Sequence, residues 1–304
     1  MEIITTKKKL YQEPHQEAES LLSQTKKMLR QAGLRARKGL AQHFLVDPEV
    51  LGLIISAAQL APGDIVVEVG PGLGTLTTEL AKQSGQVIAV ELDEQLAVLL
   101  EQRLASFQKN VTVIHRDILT VPPETLLVEA GIEKSPADYK VVANLPYYIT
   151  SPVLRHFLEA EVKPQSMVVM VQKEVAGEIT ARPGKMSLLS IGVQFYGQPE
   201  IVSYVPARSF YPVPEVDSAI LRVTPHSHPL VGENDTEGFF RLVRAGFSAA
   251  RKQLANSLAQ GLGVSKEETL SLLAKAQITP QRRAETLTLE EWAGLWRIYS
   301  GAGE

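Results

Sequence analysis

The chain has 304 residues and a formal net charge of −3, enough length for one full α/β domain plus a smaller one. Cysteine is absent, which excludes disulfides, thiolate metal sites and iron–sulfur clusters. No apolar run approaches the ~20 residues that span a bilayer, and Met1-Glu2-Ile3-Ile4-Thr5-Thr6-Lys7 has no signal-peptide core; a cytoplasmic location and no membrane partner are expected.

Residues 16–31 predict a polar helix, stopped by Gly33. It belongs to a basic arm, residues 1–38, in which Lys26, Lys27, Arg30, Arg35, Arg37 and Lys38 stand with no acid among them. The body, residues 39–224, alternates short apolar strands at 65–69, 87–91, 111–115, 140–143 and 167–172 with helical patterns such as 73–82, 94–107 and 152–159. That alternation predicts a Rossmann-like, mostly parallel sheet with helices on both faces. Late strands at 201–205 and 219–223, joined by a proline-rich segment, read as an added pair at one edge. Residues 225–236 read as a polar linker, and 237–304 as a small all-helical C-terminal domain. From Gly238 to Lys266 there is again no acid, while Arg241, Arg244, Arg251, Lys252 and Lys266 are basic. Each basic run is either a solvated helix face or an RNA contact.

Glu68-Val69-Gly70-Pro71-Gly72-Leu73-Gly74 follows the first strand and opens a helix, the place where an α/β sheet binds a nucleotide-like cofactor. A dinucleotide fingerprint needs its third glycine where Thr75 stands. The Gly-x-Gly-x-Gly spacing here is instead the form usual for S-adenosylmethionine. Glu91 ends the second strand, where an acid can accept both ribose hydroxyls, and Asp117 follows the third, where it can receive an adenine amino group. Either acid taken singly also reads as a surface carboxylate or a helix cap.

Asn144-Leu145-Pro146-Tyr147 comes straight off the fourth strand. An adenine amine is a poor nucleophile, and its methylation needs acceptors for its N–H bonds. The Asn144 side chain and a Leu145 carbonyl held rigid by Pro146 are two acceptors, and Tyr147 offers a flat face for an unstacked base. A plain turn closing a strand accounts for the same four residues. His43, in Ala41-Gln42-His43-Phe44-Leu45, reads alone as an ordinary histidine. The loop Pro206 to Ala219 is a stiff, proline-spaced connection whose Phe210 can form a second wall opposite Tyr147.

With these pieces in order, the chain closely resembles the ribosomal RNA adenine dimethyltransferases over residues 25–295. The resemblance rests on Gln42-His43-Phe44-Leu45, Glu68-Val69-Gly70-Pro71-Gly72, Glu91-Leu92-Asp93, Asp117, Asn144-Leu145-Pro146-Tyr147 and Phe210-x-Pro-x-Pro-x-Val-Asp-Ser. In the tail, Arg251-Lys252-Gln253-Leu254-x-Asn256-x-Leu258 and Arg282-Arg283-Ala284-Glu285-Thr286-Leu287 look like the bacterial small-subunit branch. The family usually has Gly where Ala41 stands and Arg where Ala250 stands, which bears on the local backbone and on one RNA contact.

The resemblance implies a class I methyltransferase fold, S-adenosylmethionine as donor with no metal, and two adjacent adenosines near the 3′ end of 16S rRNA as target. The setting it implies is an immature small ribosomal subunit. His43, Leu45, Gly70, Gly72, Glu91, Asp117 and Asn144 would face the cofactor. Asn144, Leu145, Pro146, Tyr147 and Phe210 would hold the base, and Arg244, Arg251, Lys252, Arg282 and Arg283 the RNA. The missing cysteine fits this, since pyrimidine carbon-5 methylation generally uses a cysteine nucleophile and radical methylation a cysteine-bound cluster. Three alternatives stay open on sequence alone: a large-subunit methylase of antibiotic-resistance type, a non-catalytic ribosome-assembly factor and a nicotinamide oxidoreductase. No exposed coiled-coil pattern argues for assembly, so a monomer is expected.

Overall fold

The computed structural model describes residues 19–34, 42–132, 138–228, 230–249 and 251–301. Ala41, Ala250, Arg35, Arg37 and Lys38 lie outside the described residues, as do the first residues of the expected N-terminal helix. That helix, α1 (Leu21–Gln31), begins at the Ser20 cap, and Gly33 behind it adopts φ +65°. It is no free arm. Thr25 and Leu29 are buried, and Leu29 packs with Leu73 and Leu96 of the globular body.

Next come β1 (Phe44–Leu45) and α2 (Pro48–Ala58), the latter started by the Asp47 cap and Pro48. The alternating body follows as β2 (Ile65–Val69), α3 (Thr75–Gln83), β3 (Gln86–Glu91), α4 (Glu94–Arg103), β4 (Val111–His115) and α5 (Pro123–Glu129). It continues with β5 (Tyr139–Asn144), α6 (Thr150–Leu158), β6 (Ser166–Gln172), α7 (Lys173–Ile179) and α8 (Leu188–Tyr196). The late strands are β7 (Gly197–Val205), the two-residue β8 (Phe210–Tyr211) and β9 (Ser218–Pro225).

Among the described residues, seven strands form one sheet in the order β4-β3-β2-β5-β6-β9-β7. Strands β2 to β6 are mutually parallel, and β9 and β7 are antiparallel additions at the β6 edge, as expected for the late pair. Because helices cover both faces, both sides of each inner strand must be apolar. Val67, Val69, Val141 and Ala143 face one core, with Leu126, Val153 and Phe157 of α5 and α6. Val66, Val87 and Val142 face the other, with Ile54 and Leu80 of α2 and α3. Each fully buried Val or Leu contributes about 1.5–3 kcal/mol, so the near-continuous apolar strands are the main source of the sheet's stability.

The order of the strands positions the site. From β2 the chain moves outward through β3 and β4, then returns to the other side of β2 to lay down β5. A crevice therefore opens at the carboxyl ends of β2 and β5, the place where open α/β sheets bind ligands. The two motifs that end those strands become neighbours there: a Cβ built on Gly70 would lie 3.7 Å from Pro146 Cδ.

A separate two-stranded ladder pairs β1 with β8, Phe44 opposite Tyr211 and Leu45 opposite Phe210. It latches residues 42–45 to the proline-rich loop, helped by Ser209 Oγ donating to Asp47 Oδ2 at 2.8 Å.

The helical tail comprises α9 (Thr236–Phe247), α10 (Leu254–Leu262), α11 (Lys266–Lys275) and α12 (Leu289–Ser300). Its core joins Phe239, Leu242, Trp292 and Trp296 to Ile191 and Phe195 of α8. The expected linker, 225–236, starts on the last residue of β9 and includes Val231, which is buried in that helical core.

Candidate active site

A cavity of about 280 Å³ occupies the crevice. The cofactor candidates His43, Leu45, Gly70, Gly72, Glu91 and Asp117 all line it, and so do Asn144, Leu145, Pro146 and Tyr147. Residues separated by a hundred positions thus share one wall. Phe210 is not among them.

The floor is the glycine loop. Gly70, Gly72 and Gly74 adopt φ of +66°, +57° and +75°, a region that side chains rarely enter. Space is denied as well: a Cβ on Gly72 would lie 3.2 Å from Phe44 Cε1, and one on Gly74 only 2.4 Å from Leu100 Cδ1. Arg103 of α4 donates from Nη1 to the Leu73 carbonyl, tying the loop down from below. Sequence reading does not find Arg103, since nothing local links it to a loop 30 residues away.

Two acids line the cavity beyond the glycine loop. Glu91 accepts from Gly72 N at 3.0 Å and from Asp93 N at 2.9 Å. Burial raises its pKa, and these two N–H groups pull it back. Asp117 accepts from Leu119 N at 3.0 Å through Oδ1, so it serves as the cap of a short 3₁₀ turn. Asp117 also lines the cavity.

Glu68 opens the glycine motif, yet the sequence pattern gives it no role. It is 1% exposed, lines the cavity, and its Oε2 has no hydrogen-bond partner among the described residues. Burial pushes its carboxyl up to about 8 and the charge of Glu91 adds to the shift; the Thr77 hydroxyl opposes it without making a hydrogen bond of standard geometry. A signal for it does exist in the sequence. An acid inside the apolar run Ile65-Val66-Val67-Glu68-Val69 has no packing reason to be there.

Opposite lies the Asn144 motif. Asn144 Nδ2 donates to the His43 carbonyl at 3.0 Å, and because only the amide nitrogen can donate, Oδ1 is the end left to accept. Among the described residues no group donates to the Leu145 carbonyl, whereas the Pro146 carbonyl is taken by Ile149 N. Tyr147 is held by a 2.8 Å hydrogen bond between its hydroxyl and Ser218 Oγ. Burial raises its pKa, which keeps the phenol neutral. Asn144, Leu145 and Tyr147 thus stand together on the cavity wall.

The placement of Phe210 corrects an expectation. It is 2% exposed and packs in the core behind the β1–β8 ladder, among Leu45, Val205 and Ile220. A large apolar ring gains more from that core than from a wet cavity mouth, so it does not line the cavity in this structure. The ring that does stand against Tyr147 is the imidazole of His43, with centroids 5.8 Å apart and planes inclined by 24°.

Residues 33–299 match the family model described as ribosomal RNA adenine dimethylase. The chain belongs to that family. Over 285 residues it is 54% identical to ribosomal RNA small subunit methyltransferase A of Dehalococcoides mccartyi strain CBDB1, covering 93% of this chain and 95% of the relative. It is 46% identical over 276 residues to the protein of the same name from Moorella thermoacetica, covering 89% and 94%. Among solved structures it resembles the 23S rRNA methyltransferase ErmE, with TM-score 0.67 and 29% identity over 84% of this chain and 99% of that one. A dimethyladenosine transferase from Plasmodium falciparum shares the fold, with TM-score 0.72 at 24% identity over 86% and 98%. The architecture is that of a class I methyltransferase with a helical C-terminal region. As a member of the rRNA adenine dimethylases the chain is an enzyme, and its methyl donor is S-adenosylmethionine.

The residues present fit that donor. Glu91 and Asp117 offer acceptors along one side of the cavity, and the orphaned oxygen of Glu68 marks a buried polar spot with no partner of its own. Of the candidate RNA residues, Arg244, Arg251, Lys252 and Arg283 are exposed. Leu254 N donates to the Arg282 carbonyl at 2.7 Å, which sets the Arg251-Lys252 turn beside the Arg282-Arg283 turn.

Arg282 itself departs from the expectation. Its guanidinium binds Glu291 through Nη1 and Nη2 and Thr286 through Nε and Nη2. With four of its five N–H donors engaged in a clasp at the start of α12, Arg282 holds this turn in place. Sequence alone cannot separate it from Arg283, since adjacent arginines in a turn look alike until the fold points one inward.

Proposed function

We propose that this enzyme transfers methyl groups to the N6 amines of two adjacent adenosines in the 3′-terminal hairpin loop of 16S rRNA. It acts as a monomer on an immature small ribosomal subunit in the cytoplasm. The observation that carries the chemistry is the convergence of Asn144 Oδ1, the Leu145 carbonyl and the Tyr147 ring on the cavity that also holds Glu91 and Asp117. The choice of subunit is supported by the relatives named ribosomal RNA small subunit methyltransferase A, which match along nearly their whole length.

When bound, S-adenosylmethionine supplies a methyl group already activated by positive charge on sulfur. The protein's part is placement. Asn144 Oδ1 and the Leu145 carbonyl accept the two N–H bonds of the target amine, which turns its lone pair toward the cofactor side. Tyr147 supports the plane of the base. Fixing reactants in this way is worth roughly 7–11 kcal/mol of barrier when alignment is good. The attacking amine becomes acidic as it is alkylated and releases its proton to water, so no strong base is required. A once-methylated amine still offers one N–H to the acceptors. A twice-methylated one offers none, and the base loses its hold.

Incubation with methyl-labelled S-adenosylmethionine and separately purified, undermethylated small and large subunits tests the reading. Label should map to two neighbouring adenosines of 16S rRNA. Label confined to large-subunit RNA would overturn it in favour of the resistance-type activity.

A further inference from the structure

We propose that the outward face of α1, with Lys26, Lys27 and Arg30, is an RNA-binding surface that holds the substrate's phosphate backbone on the side of the cavity opposite to the basic tail; this rests on the rRNA-methylating reading above. The first observation is a segregation of charge. From Ser20 to Leu34 the chain carries these three cations and no acid, within a protein whose net charge is −3. All three are exposed. A helix face that is merely solvated mixes signs, with acids placed to pair its cations at i,i+4. Among the described residues the acid beside them is Glu19, outside the helix, whose Oε2 stands 3.8 Å from Lys27 Nζ.

The second observation is position. Leu29 of α1 packs with Leu73 and Leu96, in a cluster that also takes in Phe44 and Tyr211. Leu73, Leu96 and Phe44 line the cavity as well, so α1 lies directly behind its wall. Lys26 Nζ stands 5.1 Å from the centroid of the Tyr211 ring, which belongs to the ladder that carries Phe44. Leu96 is part of α4, against β3 and β4 at one end of the sheet. The tail packs on α8, which leads into β7 at the other end. The cavity opens between them, at β2 and β5. Two acid-free basic surfaces therefore flank one mouth. Finally, burial of Thr25 and Leu29 fixes the helix on the body, so its charge is presented at a set place beside that mouth. An RNA loop that delivers one adenosine into the cavity is wider than the cavity, and its backbone leaves the mouth on both sides. Cations there neutralise phosphates and set the register of the strand without reading its sequence.

The test reverses charge at Lys27 and Arg30 together, leaving the Lys26 ring contact in place, and measures binding to undermethylated small and large subunits across a salt series. Lys27→Glu with Arg30→Glu should weaken binding about ten-fold at low salt and flatten the slope of log K against log salt by about 0.7–0.9 for each phosphate no longer neutralised. Lys27→Gln with Arg30→Gln, which keeps the helix free of new acids, should show a smaller loss with the same flattening. Reversal of Arg251 and Lys252 in the same chain should multiply the loss, since the two surfaces meet separate phosphates. Because the chain has no cysteine, a single Gln31→Cys can carry a tethered iron–EDTA probe with all three cations intact. Its radicals should cut 16S rRNA at sites distinct from those cut from a probe at Arg251→Cys. Unchanged low-salt affinity in both charge variants would overturn the proposal. So would a loss with an unchanged salt slope, absence of RNA cleavage from position 31, or a photo-crosslinker at that position that attaches only to ribosomal protein. If the unaltered protein binds and methylates only large subunits and the slope flattens there, the choice of subunit falls and the surface stands.

Discussion

The cavity and the basic face of the helical tail hold their side chains in opposite ways. In the cavity the functional groups are tied from behind: Asn144 to the His43 carbonyl, Tyr147 to Ser218, Glu91 to Gly72 and Asp93. On the tail, Arg244 and Arg251 are exposed, Arg283 has Glu285 Oε1 at 3.9 Å on the surface, and Lys252 Nζ donates to Gln260 Oε1 at 3.3 Å. The difference follows from what each region must do. Displacement at a methyl group tolerates little misalignment, so its acceptors are pre-set. Phosphate attraction acts over several ångströms and needs charge more than fixed geometry.

The sharpest way to break that contrast is to remove one pre-set group. Asn144→Ala should lower the methylation rate about 10²-fold or more, by analogy with loss of one preorganised polar group, while calorimetry finds S-adenosylmethionine still bound. Near-normal turnover would mean that the cavity, like the tail, works by attraction alone.

Charge reversal at Arg251 and Lys252 probes the other side. Binding to small subunits should weaken about ten-fold at low salt, and the slope of log K against log salt should flatten by about 0.7–0.9 for each phosphate no longer neutralised. Turnover at saturating substrate should change little. Equal affinity at low salt would remove this turn from the interface.

Arg282 and Arg283 are adjacent in sequence and sort to different sides of the comparison. Arg282→Ala should cost about 1–3 kcal/mol, from the loss of charge-assisted hydrogen bonds, read as a drop of several degrees in melting temperature. Arg283→Ala should leave melting unchanged and weaken RNA binding slightly. The Arg282 hydrogen bond holds the Glu291 carboxyl below its usual range. Stability from this clasp is therefore full above the ordinary carboxylate pKa and lost as pH falls, so the Arg282→Ala penalty should shrink in acid.

How much is legible in the sequence follows the same division. The parallel strands can be read because burial on both faces forces continuous Val, Ile and Ala runs, and the strand-end acids and glycines stand at fixed offsets from them. Helix α8 cannot. It lies between the sheet and the helical tail, with Val193 in one core and Ile191 and Phe195 in the other, so Leu188–Tyr196 shows no single apolar stripe. The β1–β8 ladder is two residues long, too short for any alternation to register. It decides the fate of both Phe210 and His43: the same pairing sends the phenylalanine inward and brings Pro212 to the imidazole. Sequence alone does not show which of the two rings this pairing buries.

An effect on stability alone concerns Glu68, whose Oε2 has no hydrogen-bond partner among the described residues and which lines the cavity. Its folded pKa of about 8 lies above the usual 4.5, so the native state keeps a proton that the unfolded chain releases. The linkage sign follows: its contribution to stability is full below about 4.5, falls as pH rises from there to about 8, and is level beyond. Glu68→Gln removes the titration while keeping the shape. Without ligand, its melting temperature relative to the unaltered protein should rise between pH 5 and pH 8.5, by up to several degrees for a chain of this size. A difference that stays flat across that range would mean that Glu68 is ionised in the cavity. It would then be a charged group in the cavity wall, where the neutral form acts as an uncharged lining group at pH 7.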